Sequence, residues 1–247
     1  MAAPSVTSRT DKDPEPEGPA DRVPRHVAVI MDGNRRWARA HGVSEAQGHA
    51  AGVEAIRPIV THASERGIEA LSIYAFSREN WQRSEHEVET LIGLLDAAIR
   101  DETPRLIEEG VRVRLSGRLT ELPPDTRASI EDAISATAGG ERMVLNVAFN
   151  YSSRSEIVDA VQAYVAEGNA VAQLDEDGLE AHLYTAGLPN PDLLIRTGGD
   201  QRVSNFMMWQ AAYAELYFCD AFWPDFGPQE LDEAIAEFGR RTRRFGR

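Results

Sequence analysis

The sequence predicts an α/β fold, with a mostly parallel central sheet of about six strands and helices on both faces. From Arg25 onward, short apolar runs typical of strands alternate with longer segments of helical periodicity. Strands that alternate with helices in this way favour a parallel sheet that is covered on both sides. No internal repeat or coiled-coil heptad is visible, and the longest apolar runs are far too short to span a bilayer.

Six short runs rich in apolar residues are predicted to form the strands. They cover residues 27–30, 70–76, 111–115, 143–149, 193–195 and 216–218. The first run is β-branched and is preceded by Pro24, as expected of a buried strand. The third run alternates apolar and polar residues from Val111 to Leu115, which indicates a half-buried strand.

Helices are predicted between these strands from apolar spacing and from residues that begin or end a helix. They cover residues 35–40, 48–65, 88–99, a segment that begins at 123–124, 153–165 and 229–244. Gly42 and Gly67 are expected to end the first two helices. Pro123 and Pro124 are expected to begin the fourth, since proline is favoured at the first helical position.

Composition divides the chain into a tail and one domain. Residues 1 to about 24 are predicted to be disordered, because they are rich in Pro, Asp, Glu, Ser and Gly. Residues 25–247 are expected to form a single domain, because no linker is visible and 42% hydrophobic residues are ample for a core. No apolar signal-peptide segment is present, and the single cysteine, Cys219, excludes an internal disulfide and a cysteine-rich zinc site. We therefore expect a cytosolic protein.

The formal net charge of −14 disfavours non-specific binding of nucleic acid. Against this acidic background, four clusters of arginine stand out. They are Arg35, Arg36 and Arg39; Arg78 and Arg83; Arg196 and Arg202; and Arg240, Arg241, Arg243 and Arg244. The last cluster is explained as the solubilising end of a helix, where cations complement the helix dipole. The second and third lie beside glycines and strand ends, where that explanation is weaker.

The most informative segment runs from His26 to Trp37 and changes abruptly from apolar to polar at Asp32. In open α/β folds ligands bind at the carboxyl ends of the strands, and a carboxylate there can hold a hard cation. Gly33 allows close approach of the backbone, while Arg35, Arg36 and the start of a helix favour phosphate. The alternative is an ordinary turn before a basic, solvated helix.

Two further segments place polar side chains directly after predicted strands. Residues 77–83 combine a hydroxyl, a carboxylate, an amide, an indole and two arginines, and the Ser84–Glu87 capping box beyond them explains none of these. Residues 195–206 combine Gly198 and Gly199 with arginines and a serine, which favours an anion site over a plain turn. The strand-end residues are expected to share one crevice. They are Asp32, Ser77, Asn80, Tyr151 and Arg196.

Two isolated polar residues allow both a structural and a functional interpretation. A lone histidine such as His49 is more often a hydrogen-bonded structural residue, but near phosphate it is a natural donor. Glu215 precedes an apolar strand, either as a solvated strand-start residue or as a second oxygen ligand for Mg²⁺.

Together these segments resemble the cis-prenyltransferase family, from about His26 to Gly246. The resemblance rests on the combination of His-Val-Ala-Val-Ile-Met-Asp-Gly-Asn-Arg-Arg-Trp-Ala, Gly-His-Ala-Ala-Gly, Tyr-Ala-Phe-Ser-Arg-Glu-Asn-Trp, Asn-Tyr-Ser-Ser-Arg, Leu-Ile-Arg-Thr-Gly-Gly-Asp, Ser-Asn-Phe-Met-Met-Trp-Gln and Ala-Tyr-Ala-Glu-Leu-Tyr-Phe. It implies a homodimeric, Mg²⁺-dependent enzyme that adds isopentenyl diphosphate to an allylic diphosphate and makes each new double bond Z.

The resemblance also implies roles for individual residues. Asp32 would place Mg²⁺ and assist departure of the diphosphate, Asn80 would be the candidate for proton abstraction, and Glu215 would add a Mg²⁺ contact. The allylic diphosphate would be held by Gly33, Asn34, Arg35, Arg36, Trp37 and His49. The reaction centre would be lined by Ser77, Arg78, Glu79, Trp81 and Arg83. The isopentenyl diphosphate would be held by Arg196, Arg202, Val203 and Ser204.

Product length follows from an apolar tunnel that the resemblance places between the sheet and the helix over residues 88–99. Bulk in that tunnel stops growth, so the small Ala75 predicts a long, undecaprenyl-like product, a lipid carrier for cell-wall synthesis. Met143 and Phe149 on a neighbouring strand oppose this, and a short-chain product is the alternative. The lipid product would also allow peripheral contact with the inner face of a membrane.

The chain departs from the family pattern at four places. Arg35 stands where bacterial members often have glycine, and it would add a phosphate donor. Glu45 stands where some members have arginine, which puts that phosphate contact in doubt. The pair Ser152 and Ser153 replaces two glycines, and Asp200 replaces glutamate.

Three other classes are disfavoured by the sequence. A non-catalytic partner subunit of the same fold would lack the Asp-Gly-Asn and Arg-x-Gly residues, which this chain keeps. Trans-prenyltransferases hold Mg²⁺ with paired aspartate runs, and the nearest acidic cluster, at residues 175–177, instead indicates a helix N-terminus. A haloacid dehalogenase phosphohydrolase needs a second aspartate near the first, and Ile30 occupies that spacing.

Overall fold

The computed structural model of the protein describes residues 22–241. The predicted tail over residues 1–24 therefore lies almost wholly outside the described residues, as do Arg243 and Arg244. No helix within residues 22–241 combines the length and the apolar character needed to cross a bilayer.

The centre of the fold is a six-stranded sheet in the order β3-β4-β2-β1-β5-β6, and every neighbouring pair is parallel. The strands are β1 (His26–Ile30), β2 (Ala70–Ser77), β3 (Val111–Ser116), β4 (Met143–Tyr151), β5 (Leu193–Arg196) and β6 (Glu215–Phe218). The predicted α/β fold with about six mostly parallel strands is confirmed. All six strands were predicted to within two residues at each end.

Within residues 22–241, eight α-helices connect and cover the strands. They are α1 (Asn34–His41), α2 (Glu45–Glu54), α3 (Ile56–Glu65), α4 (Glu85–Glu108), α5 (Pro124–Ala136), α6 (Ser153–Ala166), α7 (Glu176–Glu180) and α8 (Pro228–Arg240). Short 3-10 helices add further turns, and one of them, Arg78–Gln82, directly follows β2. As predicted, Gly42 caps the end of α1 in the left-handed conformation, and Asp175 caps the start of α7.

The helix predicted over residues 48–65 is wrong, because the segment forms two helices that meet at Ala55. Pro58 lacks a backbone N–H and its ring would clash with the carbonyl of Glu54 four residues earlier, so one continuous helix is disfavoured. The first of the two also begins earlier than predicted, at a capping box in which Ser44 accepts the N–H of Gln47.

Two other helices differ in length from the prediction. The helix predicted over residues 88–99 continues to Glu108 and includes Pro104. The last helix ends at Arg240 rather than near residue 244, because Arg241 adopts an extended backbone and donates hydrogen bonds to Glu215 and to the carbonyl of Leu216.

The core packs against both faces of the sheet. The largest apolar cluster joins β1–β5 to α3 and α8, and a second lies between β2, β4, α4 and α5. Cys219 is partly buried against the first cluster, and burial raises the pKa of its thiol to about 11.

A ladder of buried polar side chains crosses four neighbouring strands within this core. His26 of β1 bonds Ser72 of β2 (2.8 Å), Asn146 of β4 donates to Ser72 (3.0 Å), and Ser116 of β3 donates to Asn146 (2.8 Å). All four side chains are almost completely buried. Burial lowers the pKa of His26 to about 4, so its imidazole is neutral and meets the carbonyl of Pro189 on its other side.

Candidate active site

The candidate site lies at the carboxyl ends of β1 and β5, where the strand order reverses. The chain leaves β1 towards β2 on one side of the sheet and returns to β5 on the other side. In open α/β sheets this reversal opens a crevice beyond the strand ends. Asp32 follows β1, and Arg196 is the last residue of β5, so their side chains meet at that crevice.

Asp32 is held between two guanidinium groups. Its Oδ2 lies 2.8 Å from Nη2 of Arg196, and its Oδ1 lies 3.1 Å from Nη2 of Arg36. Burial alone would raise the pKa of Asp32, but the hydrogen bond and charge of Arg196, followed by those of Arg36, outweigh it. The pKa of Asp32 is therefore lowered, and the carboxylate is ionised at neutral pH.

A second carboxylate, Asp200, completes the cluster and was not among the predicted site residues. Its Oδ2 lies 2.8 Å from Nη2 of Arg202 and 3.6 Å from Nη2 of both Arg36 and Arg196. Three arginines thus face two carboxylates and leave one positive charge in excess, which suits an anionic ligand. The sequence signals for it were its place after Gly198 and Gly199 and its position at the end of the Leu-Ile-Arg-Thr-Gly-Gly-Asp motif, where it replaces a glutamate of the family pattern.

Arg196 is the most deeply buried cation of the site, with only 4% of its surface exposed. Its Nη1 donates to Oγ of Ser204 and to the carbonyl of Arg202, both at 2.6 Å. Its Nε has no hydrogen-bond partner within residues 22–241. Ser204 has a left-handed φ of 46°, and such backbone strain in a non-glycine residue is frequent at ligand sites.

A hydroxyl that the sequence analysis overlooked fixes Asp32 to the neighbouring strand. Oγ1 of Thr197 accepts the backbone N–H of Asp32 at 2.9 Å and donates to the carbonyl of Asp32 at 2.7 Å. Gly198 is required beside it, because a Cβ there would lie 2.8 Å from Nη2 of Arg36 and 3.0 Å from the carbonyl oxygen of Asp32. The backbone of Asp32 is therefore fixed to the loop that follows β5.

The N-terminus of α1 adds uncompensated backbone donors to the same cavity. Gly33 precedes the helix with a left-handed φ of 111°, no side chain caps the helix, and its first turn contains no acidic residue. Helix N-termini carry free N–H groups and a partial positive charge, which favour anions. Asn34, Arg35 and Arg36, the first three residues of α1, all line the cavity.

Ser77, Asn80 and Arg83, at and after the end of β2, also line the cavity. Oδ1 of Asn80 accepts the backbone N–H of Ser77 at 2.9 Å, which leaves its amide nitrogen as the group free to contact a ligand. Arg83 donates to Oε1 of Glu87 at 2.8 Å. Glu87 thus holds an arginine of the site instead of closing the capping box, although Ser84 does cap α4.

His49 lines the same cavity and is only 7% exposed. Its Nε2 lies 3.4 Å from Oε1 of Glu87. Burial, followed by the charge of Arg83, lowers the pKa of His49, so the imidazole is neutral at neutral pH. The residue therefore joins α2 to α4 at the mouth of the cavity.

Five of the predicted binding residues contact other parts of the protein and do not line the cavity. Trp37 donates a hydrogen bond to Asp225, Arg78 donates to Glu121, and Trp81 donates to Asn150. Glu79 accepts a hydrogen bond from Asn205. Val203 packs in the apolar cluster around Phe206. They surround the site and fix its loops.

Glu215 is not brought to Asp32 within the chain. It begins β6 and pairs with Leu193 at the amino end of β5, whereas Asp32 lies beyond the carboxyl ends of the strands. Its carboxylate instead accepts a hydrogen bond from Arg241 at 3.1 Å. No group of three or more metal-binding side chains occurs within residues 22–241.

An apolar cavity continues from the charged cluster between the sheet and α4. The charged and apolar parts together have a volume of about 680 Å³, within the usual range for sites that bind small molecules. A register irregularity in β2 between Tyr74 and Phe76 turns Ala75 towards the same cluster as Phe76. Ala75 and Phe149 therefore both line the cavity near its mouth. The arrangement can hold phosphate groups at one end and a hydrocarbon at the other.

Comparison with known proteins identifies a family that covers most of the chain. Residues 30–246 match a family described as "Putative undecaprenyl diphosphate synthase". The chain is 50% identical over 239 residues to isoprenyl transferase 2 of Bradyrhizobium diazoefficiens, with 94% of each protein covered. It is 46% identical over 229 residues to ditrans,polycis-undecaprenyl-diphosphate synthase ((2E,6E)-farnesyl-diphosphate specific) of Pseudomonas aeruginosa, with 91% of each covered.

A solved structure shares the fold. Lavandulyl diphosphate synthase from Lavandula x intermedia, in complex with dimethylallyl diphosphate, superposes with a TM-score of 0.87 at 36% identity. The match covers 91% of this chain and 99% of that one. The similarity therefore extends over most of the chain.

Proposed function

This chain belongs to the undecaprenyl diphosphate synthase family, and we propose that it condenses isopentenyl diphosphate with an allylic diphosphate to lengthen a Z-polyprenyl chain. The protein is accordingly a cis-prenyltransferase, and its family uses these two classes of diphosphate. The observation that supports the proposal best is the cluster of Asp32, Arg36 and Arg196 at the mouth of an apolar cavity. The charged cluster suits phosphate groups, and the apolar cavity suits a growing hydrocarbon.

We propose separate sites for the two diphosphates. The allylic diphosphate would lie at the N-terminus of α1, where free backbone donors combine with Arg35, Arg36 and His49. The isopentenyl diphosphate would lie on Arg196, Arg202 and Ser204, which line the neighbouring part of the cavity. The buried, unpartnered Nε of Arg196 supports a ligand there, since a buried donor is rarely left unpaired.

The proposed reaction breaks the bond between C1 and oxygen of the allylic diphosphate and forms a carbon–carbon bond to isopentenyl diphosphate. Negative charge develops on the departing diphosphate, where Arg36 and the backbone donors of α1 stabilise it. The apolar wall keeps water from the allylic cation. The proton lost from isopentenyl diphosphate passes to an oxygen of the departing diphosphate, which balances the charge.

Under this proposal Asn80 orients a diphosphate and does not itself remove the proton. A carboxamide oxygen is a weak base, and that of Asn80 already accepts the N–H of Ser77. We propose that its amide N–H group orients a diphosphate oxygen and that the diphosphate itself removes the proton.

Residues at the site fit a magnesium ion, as is general in this family. Mg²⁺ is usually bound by one or two carboxylates together with substrate phosphates and water, and Asp32 offers an ionised carboxylate to such an ion. The ion would neutralise charge on the diphosphate. Glu215 has no part in this single-chain site, because it lies at the other end of the sheet.

For the product, we propose a long, undecaprenyl-like chain that serves as a lipid carrier in cell-wall synthesis. The small Ala75 beside the mouth supports this length, whereas the buried ring of Phe149 on the same wall favours the alternative of a shorter chain. We also propose that residues 25–247 act as one catalytic domain in a cytoplasmic homodimer, with peripheral membrane contact through the lipid product.

Radiolabelled condensation tests the proposal. Purified protein with Mg²⁺ is given labelled isopentenyl diphosphate and allylic primers of different lengths, and the products are sized by chromatography. Incorporation into chains with Z double bonds is expected, and chelation of Mg²⁺ is expected to abolish it. Absence of incorporation would indicate a non-catalytic partner subunit, and release of phosphate without a new carbon–carbon bond would indicate a phosphohydrolase.

A further inference from the structure

Two segments that line the charged end of the cavity are joined outside it by a side-chain hydrogen bond. Nδ2 of Asn205 donates to Oε1 of Glu79 at 3.0 Å. Neither residue lines the cavity, but Asn80 and Ser204, their neighbours in the chain, both do. The bond therefore connects the short 3-10 helix after β2 with the loop after β5, directly beside groups that face the ligand.

Asn205 is fixed to the start of α6 by its other polar groups. Its Nδ2 also donates to Oγ of Ser152 at 2.8 Å, and its Oδ1 accepts the backbone N–H of Arg154 at 3.0 Å. Its backbone carbonyl accepts the N–H of Ser153 at 2.9 Å. The start of α6 thus determines how the amide is turned, and the second N–H group of Nδ2 is directed to Glu79.

The backbone around Asn205 adopts a conformation that few residues tolerate. The angle φ is 46° at Ser204 and 61° at Asn205, in the left-handed region where asparagine is among the most favoured residues after glycine. The next residue, Phe206, is fully buried and stacks on Tyr74 with 4.5 Å between the ring centroids. Asn205 therefore connects a buried anchor to the exposed Ser204, whose hydroxyl accepts a hydrogen bond from Arg196.

The 3-10 helix that carries Asn80 is held from both sides of β2. Two of its side chains, Arg78 and Trp81, donate hydrogen bonds to partners after β3 and near the end of β4, on one side of β2 in the sheet. Glu79 instead accepts its hydrogen bond from Asn205, in the loop after β5 on the other side of β2. The Glu79 bond thus ties this helix to the segment that carries the proposed isopentenyl diphosphate site.

We infer that Asn205 is a positioning residue of the proposed reaction, which holds the 3-10 helix and the loop after β5 in a fixed relative placement. This inference rests on the proposed function, because it concerns the placement of Asn80 against isopentenyl diphosphate bound at Arg196 and Ser204. A displacement of about 1 Å can cost a reaction up to about 10²-fold in rate. Asn205 lies outside the cavity and therefore acts through its neighbours, without touching a substrate.

A substitution that reverses the hydrogen bond tests this role. Asn205→Asp keeps an acceptor for the N–H of Arg154 but places a carboxylate against Glu79. With the protein in excess over labelled isopentenyl diphosphate, the rate of a single condensation is expected to fall roughly tenfold. The KM for isopentenyl diphosphate is expected to stay near the wild-type value, because the loop keeps its bonds to α6.

A second substitution in the same protein is expected to restore the rate. In the double variant Asn205→Asp with Glu79→Gln, the glutamine amide can donate to the aspartate, so the two segments are joined again with the donor and acceptor exchanged. The rate is expected to return to within about twofold of the wild type, and Glu79→Gln alone completes the double-mutant cycle.

Asn205→Gly separates the side chain from the backbone conformation. Glycine adopts the left-handed φ without strain, but the bonds to Ser152, Arg154 and Glu79 are lost together. The rate is expected to fall as in Asn205→Asp. The KM for isopentenyl diphosphate is also expected to rise, by about threefold to tenfold, because the loop that carries Ser204 loses its side-chain bonds to α6.

Asn190→Asp is the matched control. Nδ2 of Asn190 donates to Oε1 of Glu180 at 3.3 Å, so the same exchange is made in another asparagine–glutamate pair, and neither residue lines the cavity. This variant is expected to keep the wild-type rate and KM. Thermal melting followed by circular dichroism shows whether each variant is folded, and the bond of the exposed Glu79 is expected to contribute little to stability.

The outcomes separate this inference from the proposed function. Wild-type rates in both Asn205→Asp and Asn205→Gly would overturn the positioning role and leave the proposed function intact. A folded double variant that is no faster than Asn205→Asp would also overturn the positioning role. A wild-type protein that incorporates no isopentenyl diphosphate would overturn the proposed function itself.

Discussion

The mouth and the distal end of the cavity carry the same kinds of side chain in different surroundings. At the mouth, Arg196 is 4% exposed and bonds Asp32, Ser204 and a backbone carbonyl at once. At the distal end Glu102 lines the cavity, and its partner Arg57 has a side chain that is 59% exposed and that bonds only Glu102 within residues 22–241. The buried arginine is therefore held by several partners at once, whereas the exposed one depends on a single carboxylate.

The largest effect is expected at the mouth, from Asp32→Ala. Loss of this carboxylate removes the proposed metal ligand and leaves Arg36 and Arg196 with only the more distant Asp200 as a counter-ion. Turnover is expected to fall by roughly 10²- to 10³-fold or more, while circular dichroism shows a folded protein. Asp132→Ala, an exposed change on α5, is the control. Near-normal turnover would remove Asp32 from the mechanism.

A smaller effect is expected from Arg196→Lys. Lysine keeps the charge but has a single ammonium group, so it cannot bond Asp32 and Ser204 through separate nitrogens. The KM for isopentenyl diphosphate is expected to rise roughly tenfold to a hundredfold, in keeping with the loss of one charged hydrogen bond. Steady-state kinetics with varied isopentenyl diphosphate measure this. Arg202→Lys, at a side chain that is 61% exposed, should change KM less.

Equivalent substitutions at the two ends measure their contributions to stability. Arg196→Gln is expected to lower the free energy of unfolding by about 2 kcal/mol, because a buried charged network loses its centre. Arg57→Gln is expected to change it by less than about 1 kcal/mol. Urea denaturation provides both values. Equal losses at the two ends would contradict the contrast between them.

The smallest expected change concerns product size near the mouth. Ala75→Leu adds bulk where the cavity passes Phe149 and should shorten the chain, whereas Phe149→Ala should lengthen it. Chromatography of the products measures both. An unchanged distribution in both variants would mean that the hydrocarbon follows another path.

Much of the fold could be predicted from the sequence, because apolar periodicity and helix-ending glycines are local signals. The helix break at Ala55 was not predicted, because the apolar pattern runs through both helices. Pro58 was the local signal that indicated it. The polar residues at the ends of β1, β2, β4 and β5 were expected to share a crevice. Asp32, Ser77, Asn80 and Arg196 do line one cavity, whereas Tyr151 is fully buried in a separate apolar cluster and does not line it.

The orientation of individual side chains and the contacts between residues far apart in the chain could not be predicted from the sequence. Trp81 and Arg78 lie in a short 3-10 helix. Neighbouring residues of such a helix point in different directions, so a residue next to one that lines the site can face away from it. Thr197 and Asp200 act through contacts with Asp32 and Arg36, which lie more than 160 residues away in the chain. Partners at such separation leave no periodic pattern.

The ladder of His26, Ser72, Asn146 and Ser116 bears on how the sheet avoids misalignment. Apolar strands that are buried on both faces offer similar neighbours in several alignments, and a slip of one residue would move each side chain to the opposite face. A shifted pairing would bury these polar groups without hydrogen-bond partners, which costs free energy. Valine or leucine at the same positions would not carry this penalty. Four polar side chains thereby keep the ends of the strands aligned with one another, and with them the carboxylate and guanidinium groups at those ends.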